Sequence, residues 1–453
     1  MAFPVVKVNS ATGSNTAASG AGPSTALFGT AAATAASTTV TLSVDAPDLS
    51  GVATDGSAAI WVGSSSGRQW SKITAVDNGA KTVTVSDAFA NTESGKNWGI
   101  GGKRATLDGS LRVGLDMRAG WTIDQQTDDT LTANFVIRPN SVTQTPSYFT
   151  CTSGTRSTLT TSSSTVGCID VGLAQNLQIS NLVIKCTHVT PAVDGVGPVT
   201  GGEANYVTIT NCVIDGWRRG LLGQDTGANW RLQGLIVERT EIKNCTANAI
   251  YLQIPASGAQ FINCYIHNNN TAGTDAEACK FSQSVTCTNC IFDSNAKHQV
   301  AAALANNVGV SFLNCVFSNA TSSGSGLTVG SSNDGSLCLK NCIFYGNAAY
   351  GVAGNVPNTF INLTNAYGGN GTAARENISA GTGDVTLSGN PFVSATDFGL
   401  NSTAGAGAAC KGVATAHLGS ANAAGDIGAI ASGGGAAAGG GGPLIGTGRL
   451  VRS

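Results

Sequence analysis

The chain has 453 residues, only 11% of them charged, with 60 glycines and a formal charge of −2. Ordinary globular chains carry about 25% charged residues, and a pI near 6.1 gives no basic footprint for nucleic acid. No run of about eighteen apolar residues is present to cross a bilayer, so neither a nucleic acid nor a membrane partner is expected.

The start, MAFPVVKVNSATGSN, lacks a charged segment followed by a long apolar one, so no secretory leader is read there. Residues 1–23 form a polar, small-residue arm with no expected part in a core. Residues 24–105 read as a small β domain. Within it Ser71–Val76 and Thr82–Ser86 alternate apolar and polar, and Asp77-Asn78-Gly79 between them predicts a hairpin turn. Gly99-Ile-Gly-Gly-Lys-Arg104 lacks the spacing of a phosphate loop.

Residues 106–385 carry the architecture, with irregular early coils around Val113, Ile123, Val136 and Ile169. One pattern then recurs: an apolar residue, a variable one, usually Asn, usually Cys, any residue, then Ile or Phe. It reads Ile179–Ile184, Ile209–Ile214, Val237–Ile242, Phe261–Ile266, Cys287–Phe292, Phe312–Phe317 and Leu339–Phe344, fading at Leu363–Tyr367. The marks fall at Leu182, Cys212, Thr240, Cys264, Cys290, Cys315, Cys342 and Ala366, in steps of 24 to 30 residues. Such a period signals a repeat architecture, and its short, β-branched or aromatic runs between Gly, Asn and Ser exclude a helical one. The pattern predicts one turn of a parallel β-helix.

Coils stacked about 4.8 Å apart place equivalent residues in columns. One interior column holds Cys212, Cys264, Cys290, Cys315 and Cys342, capped by Leu182 and interrupted by Thr240. The next holds Ile184, Ile214, Ile242, Ile266, Phe292, Phe317 and Phe344. Asn181, Asn211, Asn263, Asn289, Asn314, Asn341 and Asn365 are expected at a bend, because Asn tolerates the left-handed conformation of a tight corner. Residues 386–453 form a capping segment and a Gly-rich tail, the part from Asn390 to Ala429 being expected to close the last coil.

The thirteen cysteines include a CxxC at Cys287 and Cys290 and a CxxxC at Cys338 and Cys342. A zinc site needs further Cys or His at matching spacing, and His188, His267, His298 and His417 do not supply it. Reduced cysteines buried as small hydrophobes are the expectation, in a reducing compartment, with no metal and no cofactor. For chemistry, the local clusters are Asp215-Gly-Trp217-Arg218-Arg219 with Asp225, and Asp275-Ala-Glu277 with Lys280. Asp275 and Glu277 would share a strand face, and Asp215 would align with Glu241 on the next coil. Paired carboxylates about 5–9.5 Å apart can cleave a glycosidic bond, but solvated turn charges explain the same residues. No catalytic residue is therefore assigned. Trp217 with Arg218 and Arg219 suits an interface contact better than a sugar platform.

Asn390-Pro-Phe-Val393, Asp397-Phe-Gly-Leu400 and Gly425-Asp-Ile-Gly-Ala429 resemble the closing signature of right-handed parallel β-helix repeat proteins of the pectate-lyase-like superfamily. That signature runs DPxF, DFxL, SPAIDAG and DIGA, and its third element is replaced here by Thr403–Gly412. Ala59–Val62 and Asn97–Ala105 are similar to the front ends of bacteriophage virion β-helix proteins. The resemblance implies an all-β fold, a right-handed β-helix with a small N-terminal β domain. It implies a structural virion protein that decorates or cements a capsid or forms part of a tail. Such a protein is made in the host bacterial cytoplasm, with other virion proteins as partners and a homo-oligomer, a trimer among the forms. A tailspike that binds or degrades host surface polysaccharide, as a lyase or glycoside hydrolase, is the alternative, and a surface adhesin the third.

Overall fold

The computed structural model describes residues 5–8, most of 27–100, and 122–429 apart from short stretches, of which 138–145, 224–230 and 416–424 are the longest. They fall into two units, Met1–Val189 with Val196–Thr208, and Thr190–Gly195 with Ile209–Ser453. Val113, Asp225 and the tail from 430 lie outside the described residues.

In the first unit, strands Leu27–Ala33, Thr39–Leu42, Thr82–Val85, Gln69–Asp77, Ala59–Val62 and Glu93–Ile100 close into an antiparallel barrel in that order. The alternation that predicted a β domain fills it: Val40, Leu42, Ile60, Ile73, Val83, Val85, Phe89 and Trp98 are buried together. The expected hairpin is present, but Asp77 pairs with Thr82, so the connection is longer than a two-residue turn. Asp77 Oδ1 accepts the Ala80 N–H at 2.9 Å, and Lys81 takes the left-handed φ of 53°.

The rest of this unit is coiled. Ser147–Thr150 pairs in parallel with Thr122–Gln125 and Leu177–Ser180 on a first sheet. Ser157–Thr161 pairs with Asp129–Thr130 and Leu182–Cys186 on a second. Ile169–Asp170 pairs with Phe135–Val136 and Val196–Gly197 on a third. The arm departs from expectation. Val5–Val8 adds a parallel strand to Thr122–Gln125, so part of it belongs to the solenoid and covers a strand edge that would otherwise invite foreign pairing.

The second unit repeats the three-sheet coil regularly. Its first sheet runs Ile236–Glu238, Ala259–Ile262, Val285–Thr288, Gly309–Leu313, Ser336–Lys340, Thr359–Leu363. The second runs Val213–Asp215, Glu241–Lys243, Tyr265–His267, Ile291–Asp293, Val316–Ser318, Ile343–Tyr345, Ala366–Gly368, Val385–Thr386. The third runs Leu221–Gly223, Ile250–Leu252, Glu277–Phe281, His298–Ala303, Leu327–Gly330, Tyr350–Gly354, Ala373–Glu376. Between the first and second sheets the chain turns at Asn211, Asn263, Asn289, Asn314 and Asn341, all with φ between 52° and 57°. Asn289 Nδ2 donates to Asn263 Oδ1 at 3.2 Å and Asn314 Nδ2 to Asn289 Oδ1 at 3.3 Å. Asn181, in the first unit, has the same conformation.

The cysteine column is fully buried from Cys212 to Cys342. Its thiols are also oriented: Cys264, Cys290, Cys315 and Cys342 each donate to a carbonyl of the coil before, at Val237, Phe261, Cys287 and Phe312, 3.3–3.4 Å away. Beside them Phe292, Phe317, Phe344 and Tyr367 stack with centroids 4.7–5.1 Å apart and planes within 10°. The last repeat is one residue out of the expected alignment. Ile343 pairs with Ala366 and Lys340 with Leu363, so Thr364 takes the left-handed corner and Asn365 the cysteine place. There Asn365 Oδ1 accepts the Cys342 N–H at 2.8 Å.

A second amide ladder lies at the next corner, five residues beyond Cys264, Cys290, Cys342 and Asn365. Asn269 Oδ1 accepts the Cys245 N–H at 3.0 Å, and Asn295 Oδ1 accepts that of Asn269 at 2.8 Å. Asn347 and Asn370 repeat the motif for Ala320 and Asn347. Trp217 and Cys245 hold the same place in earlier coils.

The aromatic stack ends under Arg375, whose guanidinium lies 4.5 Å from the Tyr367 centroid and 2.8 Å from Asp384. Asp384 also accepts the N–H groups of Asn365 and Gly381. Described residues of the Asn390–Ala429 segment, which is expected to close this coil, lie along the outward side of the second sheet. Phe392, Phe398, Leu400, Cys410 and Ile427 cover Ile291, Val316, Ile343 and Ala366 there. Asn341 anchors it: Nδ2 donates to Thr415 O at 2.8 Å, Oδ1 accepts the Thr415 N–H at 2.9 Å, and its carbonyl accepts the Gly428 N–H.

Candidate functional site

The sequence clusters divide between two outward faces. Asp215 lies on the second sheet, in register with Lys243, whereas Val213 is the partner of Glu241. The expected alignment of Asp215 with Glu241 is therefore offset by two residues, and each carboxylate is engaged locally. Asp215 accepts from Asn244 Nδ2 at 2.8 Å. Glu241 Oε1 is 3.1 Å from Lys243 Nζ and 2.9 Å from His267 Nε2. Burial alone would raise the Glu241 carboxyl, but the hydrogen bonds from His267 and Lys243 outweigh it and hold it below the usual range. The His267 ring stacks on Tyr265 at 4.0 Å, and Tyr265 meets Phe398 edge-on at 5.8 Å.

The corner between the second and third sheets turns the remaining residues outward or inward. Trp217 goes inward. It is fully buried, with an added Cβ on Gly195 falling 3.1 Å from its ring, so it is neither an interface contact nor a sugar platform. Its indole fills the corner that an Asn amide occupies in later coils. Arg218 turns outward and makes a two-point contact with Asp194, Nε to Oδ1 at 2.9 Å and Nη2 to Oδ2 at 2.7 Å. That hydrogen-bonded carboxylate, which is 6% exposed, raises the guanidinium above its ordinary pKa.

On the third sheet Tyr251 is the partner of Leu222 on one side and Lys280 on the other. The Arg219 guanidinium carbon lies 4.4 Å from its ring centroid and Lys280 Nζ 5.5 Å. Both are cation–π distances. The Tyr251 hydroxyl donates to Gln253 Oε1 at 2.7 Å. Sequence reading singled out Arg219 and Lys280 in separate clusters and passed over the tyrosine between them. Only strand register shows that 219, 251 and 280, on three successive coils, converge.

Glu277 opens the same strand as Lys280, 3.7 Å from its ammonium. Asp275 lies in the turn before it, where its carbonyl accepts from Asn270 Nδ2 at 2.7 Å, so the two acids do not share a strand. Burial, reinforced by the Asp275 charge, pushes the Glu277 carboxyl up against the pull of Lys280 and Lys297. His298 is the cross-strand partner of Glu277. Its Nδ1 accepts the Ser325 N–H at 3.0 Å, which leaves the proton of a neutral ring on Nε2. Burial and then Lys297 lower its pKa. Among the described residues no group of three or more His, Cys, Asp or Glu is placed to hold a metal ion.

Residues 194–365 match the family model described as a right handed beta helix region. The three parallel sheets of the coiled region have the fold of a parallel β-helix. No curated protein matches this chain in sequence. Among solved structures it is similar to the pectate lyase Pel9A, at 13% identity over 70% of this chain and 89% of that one, with a TM-score of 0.38. It is also similar to the tailspike protein gp49 from Pseudomonas phage LKA1, at 11% identity over 87% and 66%, TM-score 0.29. A third is the A-module of the Azotobacter vinelandii mannuronan C-5 epimerase AlgE4, at 12% identity over 62% and 93%, TM-score 0.26. A parallel β-helix is a fold that hosts many chemistries.

Proposed function

We propose that this β-helix is a structural, tailspike-like protein of a bacteriophage virion that binds host surface polysaccharide on the outward face of its third sheet and does not cleave it. The observation that carries the binding is the convergence of Arg219, Tyr251 and Lys280, with Gln253 beside them, from three successive coils. A linear polymer lying along the stacking direction meets a new coil about every 4.8 Å. Cations fixed against an aromatic ring offer it donors whose side-chain entropy is already spent. The virion setting is supported by the similarity of Ala59–Val62 and Asn97–Ala105 to the front ends of phage virion β-helix proteins. In that setting the protein is made in the host cytoplasm and joins other virion proteins as a homo-oligomer, a trimer being the form that places three such faces around one axis. Decoration or cementing of a capsid is the other virion role this architecture suits, and the saccharide face favours the tail.

Binding without cleavage is the reading because two of the nearby carboxylates stand beside cations: Asp194 in a two-point contact with Arg218, and Glu277 3.7 Å from Lys280. Retention of the purified chain on immobilised host polysaccharide, and its loss in Arg219→Ala and Tyr251→Ala, is the expected result. Release of reducing ends or unsaturated sugars during the incubation would replace the binding protein with a glycanase or lyase. Equal retention of both variants would remove the third sheet as the site.

A further inference from the structure

Arg218 and Lys280 each stand beside a carboxylate, and the two pairs differ in geometry. Arg218 and Asp194 meet through two short contacts of 2.9 and 2.7 Å. Lys280 and Glu277 stand 3.7 Å apart, beyond the N–H···O hydrogen-bond range. The Glu277 side chain is only 12% exposed, against 32% for Lys280. The first pair is closed. The second holds an ammonium that a ligand can reach beside a carboxylate that water barely reaches.

We propose that Glu277 is a proton-operated competitor for Lys280: ionised, it occupies the ammonium, and neutral, it releases it to an anionic saccharide. This rests on the reading of the third-sheet face as the saccharide site and adds the charge class of the ligand and its control. The charged groups facing Glu277 are Lys280 on its own strand, Asp275 in the preceding turn, Lys297 just before the following strand and His298 at its start. Lys297 is committed elsewhere, its Nζ donating to Gly273 O at 2.7 Å. Arg218, near Asp275, is held by Asp194. Lys280 is therefore the cation whose availability changes with the state of Glu277. Because burial raises the Glu277 carboxyl, that change falls above the ordinary range of a glutamate.

The linkage has one sign. A ligand that needs Lys280 binds the protonated form more tightly, so a proton is taken up on binding and affinity rises as pH falls. Calorimetric titration of the full chain with dextran sulfate oligosaccharides from pH 8 to 4.5 tests it, since sulfate esters stay ionised throughout; neutral dextran is the control. Wild type should bind dextran sulfate roughly fivefold or more tightly at the acid end, a coupling of ordinary size. Glu277→Gln should bind tightly at every pH, and Lys280→Met weakly at every pH. A flat wild-type profile overturns the proposal. So does a slope that survives in Glu277→Gln, which would move the titration to another group. Equal binding of dextran shows that the ligand is not selected by charge. If host polysaccharide binds the face but dextran sulfate does not, the control by Glu277 fails and the saccharide site stands; if neither binds, both fail.

Discussion

Replacing Phe317 by alanine removes the centre of the aromatic column. The Phe317 ring is fully buried, with Phe292 and Phe344 stacked on it at 5.0 and 4.7 Å and Phe312 edge-on at 5.1 Å. Truncating a buried Phe costs about 3–5 kcal/mol, and each aromatic pair adds roughly 0.5–1.5 kcal/mol beyond area. Three pairs are lost at once, in a column whose rings are fixed by coils above and below and cannot collapse inward. A loss near 5 kcal/mol is the expectation. In a solenoid each coil contacts only its neighbours, so the damage should be local. Amide exchange should accelerate in Ile291–Asp293, Val316–Ser318 and Ile343–Tyr345, while the barrel of residues 27–100 keeps its protection. Urea unfolding of the coil region gives the magnitude. A loss below about 1 kcal/mol, or exchange that accelerates equally in the barrel, would refute the stacked column as a local source of stability.

Asn341→Gly keeps the left-handed corner and deletes the amide that holds Thr415. It should free the Asn390–Ala429 segment for limited proteolysis, costing about 1–3 kcal/mol, with the solenoid itself resistant. Thiol labelling of the native chain followed by peptide mapping should modify Cys338, which is half-buried, and spare Cys264, Cys290, Cys315 and Cys342 until unfolding. Glu241 gives the pH test: its folded carboxyl is depressed, so its contribution is present above the unfolded value of about 4.3 and lost as pH falls through the folded one. Glu241→Gln should therefore lose about 1–2 kcal/mol at pH 7 and almost nothing at pH 2.5. A cost independent of pH would show that the His267 and Lys243 contacts are not what stabilises the ionised form.

The solenoid was legible because its repeat writes each column as a residue type at a fixed step. The Asn–Cys dipeptide gives the corner and the first interior place after it, and both sit where expected from Asn211 to Cys342. The second amide ladder was equally present, as Asn269, Asn295 and Asn347 each five residues past a cysteine, but it falls between the pattern's copies. Trp217 was misread because neighbouring arginines suggested a surface; at five residues past Cys212 it lies on the inward corner. Leu363–Tyr367 misaligned because Asn365 matches the Asn of the motif by identity, while backbone pairing follows the strand and puts Thr364 at the bend. The strand at Val5–Val8 has no repeat signature, being separated from its partner by the whole barrel. The site was legible only in halves: Arg219 and Lys280 are 61 residues apart in sequence, and a change of one residue in any intervening loop leaves the sequence cluster unchanged while the register decides whether they meet.

A crystal structure of the chain with an oligosaccharide from the host surface polysaccharide shows directly where a saccharide lies. Sugar density is expected on the outward third sheet, within hydrogen-bond reach of Arg219, Gln253 and Lys280 and running along the coil-stacking direction. Density on the first or second sheet, with Arg219 and Lys280 still closed over Tyr251, would contradict it.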